Sequence, residues 1–138
     1  MKRLPKIISH INSSVDGRLV ADRWTLPFNG KDIEDVLSVY TEIKDGYSAD
    51  AWILGRNSVQ KHFFPETFDN ETFTPVISPR TYIGHRGSKR SLVVFDSKGL
   101  IRYTDDKVFG DNIIAILSEN VSEEYLVHLR QAGISYLF

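Results

Sequence analysis

Ser91-Leu92-Val93-Val94-Phe95 is the stretch on which the fold turns. It is apolar after its first residue, β-branched at its centre and free of polar alternation. That pattern predicts a central strand of a parallel sheet, covered on both faces. Downstream comes the turn Asp96-Ser97-Lys98-Gly99, then a hairpin-like patch, Leu100-Ile101-Arg102-Tyr103, bounded by Gly99 and Asp105-Asp106. Ile113-Ile114-Ala115-Ile116-Leu117 reads as a second buried strand. Asn120 is the expected helix cap, with Glu123 as its reciprocal partner and Tyr125, Leu126 and Leu129 as the apolar face. Gly133 suits the residue just past that helix, and residues 134–138 form a last strand.

Upstream, Ala51-Trp52-Ile53-Leu54 is a short buried strand closed by Gly55, and residues 56–63 give one or two helical turns before Pro65. Residues 66–91 are polar and punctuated by Pro75, Pro79, Gly84 and Gly87, with Val76-Ile77 as a possible strand. Ile33, Val36, Leu37, Tyr40, Ile43 and Tyr47 recur at three- and four-residue intervals, which predicts an amphipathic helix over residues 32–47. Asp32, Glu34 and Asp35 complement its positive end, and Gly46 marks its stop. Residues 6–13 read as a first strand and Asp16-Gly17 as a sharp turn. Strand, helix and strand in repetition with short connections mean an α/β domain with a mostly parallel sheet and helices on both faces. Ligands of such sheets bind at the carboxyl ends of the strands.

The length of 138 residues suits one domain, and 41% apolar side chains suffice for a core. A net charge of −1 argues against a nucleic-acid coat or a polybasic membrane binder. The absence of cysteine removes disulfides, a thiol nucleophile and a Cys-based zinc site, and it suits a reducing cytoplasm. Met1-Lys2-Arg3 is basic like the start of a signal peptide, but no long apolar run follows. No stretch of 18 apolar residues is present, so neither export nor a membrane span is expected.

Three segments are candidate ligand contacts. Gly55-Arg56-Asn57-Ser58 joins a strand to a helix, where free N–H groups, a guanidinium and a hydroxyl suit an anion. The same residues also suit an ordinary strand-to-helix turn. Ser97 and Lys98 suit a phosphate monoester and Asp96 a ribose hydroxyl, although Asp-Ser-Lys-Gly is equally common turn chemistry. Residues 80–90 hold Arg80, His85, Arg86, Lys89 and Arg90 without a carboxylate, as an anion-capturing loop or a solvated basic one. The four histidines show no metal-ligand spacing, and His10 reads as a hydrogen-bonded core residue. No G-x-S-x-G elbow, P-loop or GxGxxG occurs.

The order of these motifs resembles a known family. Residues 6–19, with Ser13-Ser14-Val15-Asp16-Gly17-Arg18-Leu19, resemble the opening strand and S-[LV]-D-G-[KR]-[IL] turn of the riboflavin-biosynthesis reductases. These are the C-terminal domains of bacterial deaminase-reductases, with a dihydrofolate-reductase-like fold. Ala49-Asp50-Ala51-Trp52-Ile53-Leu54-Gly55-Arg56 resembles the family's [AS]-D-A-[IL]-[IL]-[LV]-G-[RA] segment, with Trp52 in place of an aliphatic residue. Residues 90–98 resemble its basic, Val-Val, Asp-Ser-basic strand and turn, and residues 112–117 the strand after it.

The resemblance implies an NADPH-dependent oxidoreductase. It assigns cofactor binding to Gly17, Gly55, Arg56, Ser58, Ser97 and Lys98, and positions near the nicotinamide and substrate to Ser14 and Asp16. The implied substrate is a ribosylamino-pyrimidine 5′-phosphate reduced at the sugar C1′, and the implied assembly a homodimer. Trp24-Thr25-Leu26-Pro27 instead resembles true dihydrofolate reductases, with Asp32 or Glu34 as a pteridine-binding acid. A reductase of another, pteridine-like substrate is therefore the alternative, and a non-catalytic remnant of the fold a further one. The family continues past a strand like residues 134–138 into a Gly-Gly segment for the cofactor pyrophosphate. The expectation is a domain lacking that C-terminal part.

Overall fold

Among the described residues four parallel strands stand side by side in the order in which the chain makes them. The structure, a computed structural model, describes residues 4–70 and 72–138. The chain divides into two compact units, Met1–Ser48 and Ala49–Phe138. In the second, β1 (Ala51–Gly55) pairs with β2 (Ser91–Phe95). Two-residue β3 (Lys107–Val108) runs antiparallel to the start of β4 (Asp111–Ile116), and β4 lies parallel to both β2 and β5 (Ser135–Leu137). Helix α1 (Ile33–Gly46) belongs to the first unit; α2 (Arg56–His62) follows β1, and α3 (Glu123–Gln131) joins β4 to β5.

The register aligns Trp52, Leu92 and Ile113 in one row, and Leu54, Val94, Ala115 and Tyr136 in the next. Leu92, Val94, Ile113, Ala115 and Tyr136 are buried in one core with Val59 of α2 and Tyr125, Leu126 and Leu129 of α3. Each fully buried aliphatic side chain there contributes about 1.5–3 kcal/mol. On the opposite face Ile53, Phe95 and Leu137 are exposed, and Val93, Ile114 and Ile116 only half-buried.

The expectation of helices on both faces is therefore corrected for this unit: α2 and α3 lie on one face. The strand order supplies the reason. Parallel crossovers share one hand, so those that step always in the same direction put their helices on the same side. Covering both faces requires the order to reverse, and among the described residues it does not. The apolar run in β2 is thus half core and half open surface.

Local differences have equally physical causes. The hairpin lies at β3–β4, across Phe109-Gly110 with both residues at positive φ, and not at residues 100–103. Ile101 instead makes an isolated bridge to Thr67, and near residues 76–77 there is only a bridge from Pro75 to Ser122. Helix α3 is capped by Ser122, whose Oγ accepts from Tyr125 N at 3.1 Å, rather than by Asn120. Gly133 takes φ +75° just past the helix, as expected.

In the first unit the helix is present. Asp32 and Asp35 form a reciprocal cap at 2.9 and 3.2 Å. Asp32 is thereby committed to the helix end. Residues 6–13 are not a strand. His10 lies half-buried, stacked on Tyr40 with ring centres 4.3 Å apart, and its buried Nδ1 has no hydrogen-bond partner among the described residues. The basic start Met1-Lys2-Arg3 lies outside the described residues. Among those described, no helix is long and apolar enough to cross a membrane.

Candidate functional site

The carboxyl edge of the sheet gathers two of the candidate segments. Gly55 stands opposite Phe95, and Phe95 opposite Ile116, so Arg56 and Asp96 leave adjacent strands at the same level. Asp96 N donates to Ile116 O at 3.1 Å, and Ser118 N and Oγ donate to Ser97 O at 3.2 and 2.6 Å. These bonds tie the turn after β2 to the end of β4. Gly55 caps α2 with extended backbone and no side-chain bond, leaving the first-turn N–H groups clear of a capping side chain. Arg56 is half-buried, while Ser58, Ser97 and Lys98 are exposed. The edge thus presents a guanidinium, an ammonium and two hydroxyls, a donor set suited to phosphate oxygens.

Asp96 has a different task from the ribose contact expected of it. Its side chain is fully buried, and Oδ2 accepts from Tyr125 Oη at 2.7 Å, Leu100 N at 2.9 Å and Ile101 N at 3.0 Å. A carboxylate held by three donors inside the core organises the turn and is closed to ligand. Burial pushes the Tyr125 phenol far above its ordinary range, with the neighbouring Tyr103 and Asp96 adding to the effect. Burial, then Asp96, likewise raises Tyr103. Both phenols are neutral at any ordinary pH; Tyr125 donates to Asp96, whereas Tyr103 Oη has no partner among the described residues. Half-buried His128 accepts from Tyr103 N through Nε2 at 3.1 Å, and desolvation lowers its pKa, with Arg102 assisting.

Ser14, Asp16 and Gly17 form the predicted turn, in the first unit. Gly17 takes φ +82° and its N donates to Ser14 O at 2.9 Å. Ser14 Oγ donates to Asp16 Oδ1 and accepts from Arg18 N, while Arg18 Nε lies 2.9 Å from Asp16 Oδ2. The carboxylate of Asp16 is shared between a hydroxyl and a guanidinium, so the turn is preorganised by its own side chains.

Sequence reasoning located the basic loop but not its setting. Residues 81–83 and 85–88 wall a cleft of about 380 Å³ on the open face of the sheet. Asp106 and Asn112, which hold that wall, stood out by no motif; each meets its loop partner, His85 or Ser88, across more than 20 residues of chain. Among the described residues no group of three His, Asp or Glu is placed to hold a metal ion. Comparison of the chain with known protein families, characterised proteins and solved structures finds no match.

Proposed function

We propose that the chain is an NADPH-dependent reductase domain acting on a ribosylamino-pyrimidine 5′-phosphate, with hydride delivered to the sugar C1′. The observation that supports this reading is the register Gly55–Phe95–Ile116. It brings Gly55-Arg56 and Ser97-Lys98, distant in sequence, to one edge. That is where the motif resemblance requires cofactor phosphates to bind.

In this reading Arg56 and Lys98 neutralise the 2′-phosphate, and the Ser58 and Ser97 hydroxyls complete its hydrogen bonds. The cofactor supplies the hydride. The protein contributes positioning, so no loud catalytic dyad is required. The motif resemblance assigns Ser14 and Asp16 to the substrate, and Arg18 holds their turn in shape. A homodimer in the cytoplasm belongs to the same reading, and sedimentation tests the dimer.

A second reading is a phosphate-binding α/β module without reductase activity. The strand order favours it, because a dinucleotide crevice in an open sheet forms where that order reverses, and the described strands do not reverse. Titration of the chain into NADPH, followed by cofactor fluorescence, separates the two. Saturable binding with preference over NADH supports the reductase, and no binding at millimolar cofactor overturns it.

A further inference from the structure

The cleft on the open face is built from two walls of different character. Its floor is Ser91 of β2, Asn112 and Ile114 of β4, and Ser135 and Leu137 of β5. These side chains alternate with Leu92, Ile113 and Tyr136, which face the core, and so point away from it. The other wall is the loop, and its hydrogen bonds define its path. Tyr82 and Tyr136 exchange backbone bonds of 3.1 and 3.0 Å. Gly84 N donates to Ser135 Oγ at 3.0 Å, and His85 N donates to Gly133 O at 2.7 Å. Ser88 N and Oγ then donate to Asn112 Oδ1 at 3.1 and 2.9 Å. The loop therefore runs from Tyr136 of β5 back past Gly133 and on to Asn112 in β4. Ile83, Ile114 and Leu137 are apolar members of the cleft lining, and His85 and Arg86 are basic ones.

His85 is held in place although its side chain is exposed. Nδ1 lies 3.0 Å from Asp106 Oδ2, and Asn112 Nδ2 donates to the same oxygen at 3.4 Å. The ring packs on Gly133 so closely that a Cβ there would stand 2.3 Å from Nδ1. With Nδ1 engaged by Asp106, Nε2 is the nitrogen left for a ligand, and it donates to an anion only when the ring carries both protons. Next to it, exposed Arg86 has no ion-pair partner among the described residues. Arg90, by contrast, is paired with Asp111 at 3.3 Å.

We infer that this cleft is a second binding site, for a small ring-bearing molecule that carries one phosphate group. The phosphate meets Arg86 and His85, and the ring lies on Ile83, Ile114 and Leu137. A volume of about 380 Å³ is within the range of small-molecule pockets. The Arg86 guanidinium suits a compact anion, and the apolar lining rewards a ligand that is more than an anion. The cleft extends from Ser91 and Asn112, at the starts of β2 and β4, to Leu137 at the end of β5, and none of Gly55, Arg56, Ser97 and Lys98 lines it. It stands independently of the reductase reading.

Phenyl phosphate, inorganic phosphate and phenol, titrated separately into the isotope-labelled full chain without NADPH, test it by amide NMR. Phenyl phosphate shifts the amides of Gly84, Gly87, Ser88 and Asn112 saturably and binds about tenfold or more tighter than either fragment alone. Arg86→Gln, with an otherwise native spectrum, weakens phenyl phosphate by about tenfold or more. Ile83→Ser weakens phenyl phosphate and leaves inorganic phosphate unchanged. The inference is overturned by unsaturable or scattered shifts, by equal affinity for phenyl and inorganic phosphate, or by an Arg86→Gln variant that binds as the parent does.

Discussion

Tyr125 and Asp96, on α3 and at the end of β2, are joined by a 2.7 Å hydrogen bond inside the core although 29 residues separate them. The bond explains how a turn that looks like a ligand contact is also a structural keystone. Asp96 is turned inward to hold the loop, and Ser97 and Lys98 are turned outward by the same geometry.

Tyr125→Phe removes one of three donors from a buried carboxylate and is expected to cost about 1.5–3 kcal/mol. Asp96→Ala removes the acceptor of all three and costs more. Urea unfolding measures both. Because Asp96 is closed to ligand, Tyr125→Phe should leave the affinity for NADPH per folded molecule unchanged.

Gly99 holds φ +64°, and a Cβ there would stand 2.5 Å from the Tyr125 ring. Gly110 holds φ +83° with nothing within 4 Å. Gly110→Ala is expected to cost about 1 kcal/mol for backbone strain alone, and Gly99→Ala clearly more, about 3 kcal/mol. Equal losses in chemical denaturation would mean that the ring contact carries no weight.

The N-cap of α3 is open to the same measurement. Ser122→Ala is expected to lose about 1–2 kcal/mol, since its Oγ accepts from Tyr125 N inside the protein. Asn120→Ala, outside the helix cap, should change stability by less than about 0.5 kcal/mol.

His128 makes stability depend on pH. Its folded pKa lies below the ordinary 6.5, so as pH falls from there the unfolded chain takes up a proton that the folded one resists. Stability is present above pH 6.5 and declines as pH falls through the lower folded value. Protonation also removes the Nε2 acceptor from Tyr103 N. His128→Gln keeps an acceptor and removes the titration, so its stability curve should be flatter than the parent's in that window.

Arg56→Ala and Lys98→Ala test the proposed cofactor edge. Each is expected to weaken NADPH by about tenfold or more and NADH little, because only the former carries the 2′-phosphate. Fluorescence titration with both cofactors reads the ratio, and equal losses would remove the two residues from that role.

The elements themselves were legible without coordinates. Residues 91–95 announced a strand through β-branching, residues 33–46 a helix through apolar spacing, and Gly133 a helix end through its freedom at positive φ. These are properties of short windows, where neighbouring side chains and backbone torsions decide. The place of Gly55-Arg56 at a strand end was readable for the same reason.

What the tertiary structure decided depends on which strand lies beside which. An uninterrupted apolar strand looks alike whether one face is covered or two. Only the order β1-β2-β4-β5 puts both helices of that unit on one side and leaves Ile53, Phe95 and Leu137 open. Asp96 offered the same carboxylate to a ribose or to Tyr125, and the packing of α3 chose between them. The basic loop was visible as charge; the bonds of His85 to Gly133 and Asp106 made it the wall of a cleft. Local torsions and spacing are written in the sequence, whereas burial and partnership arise only when distant segments exclude water from one another.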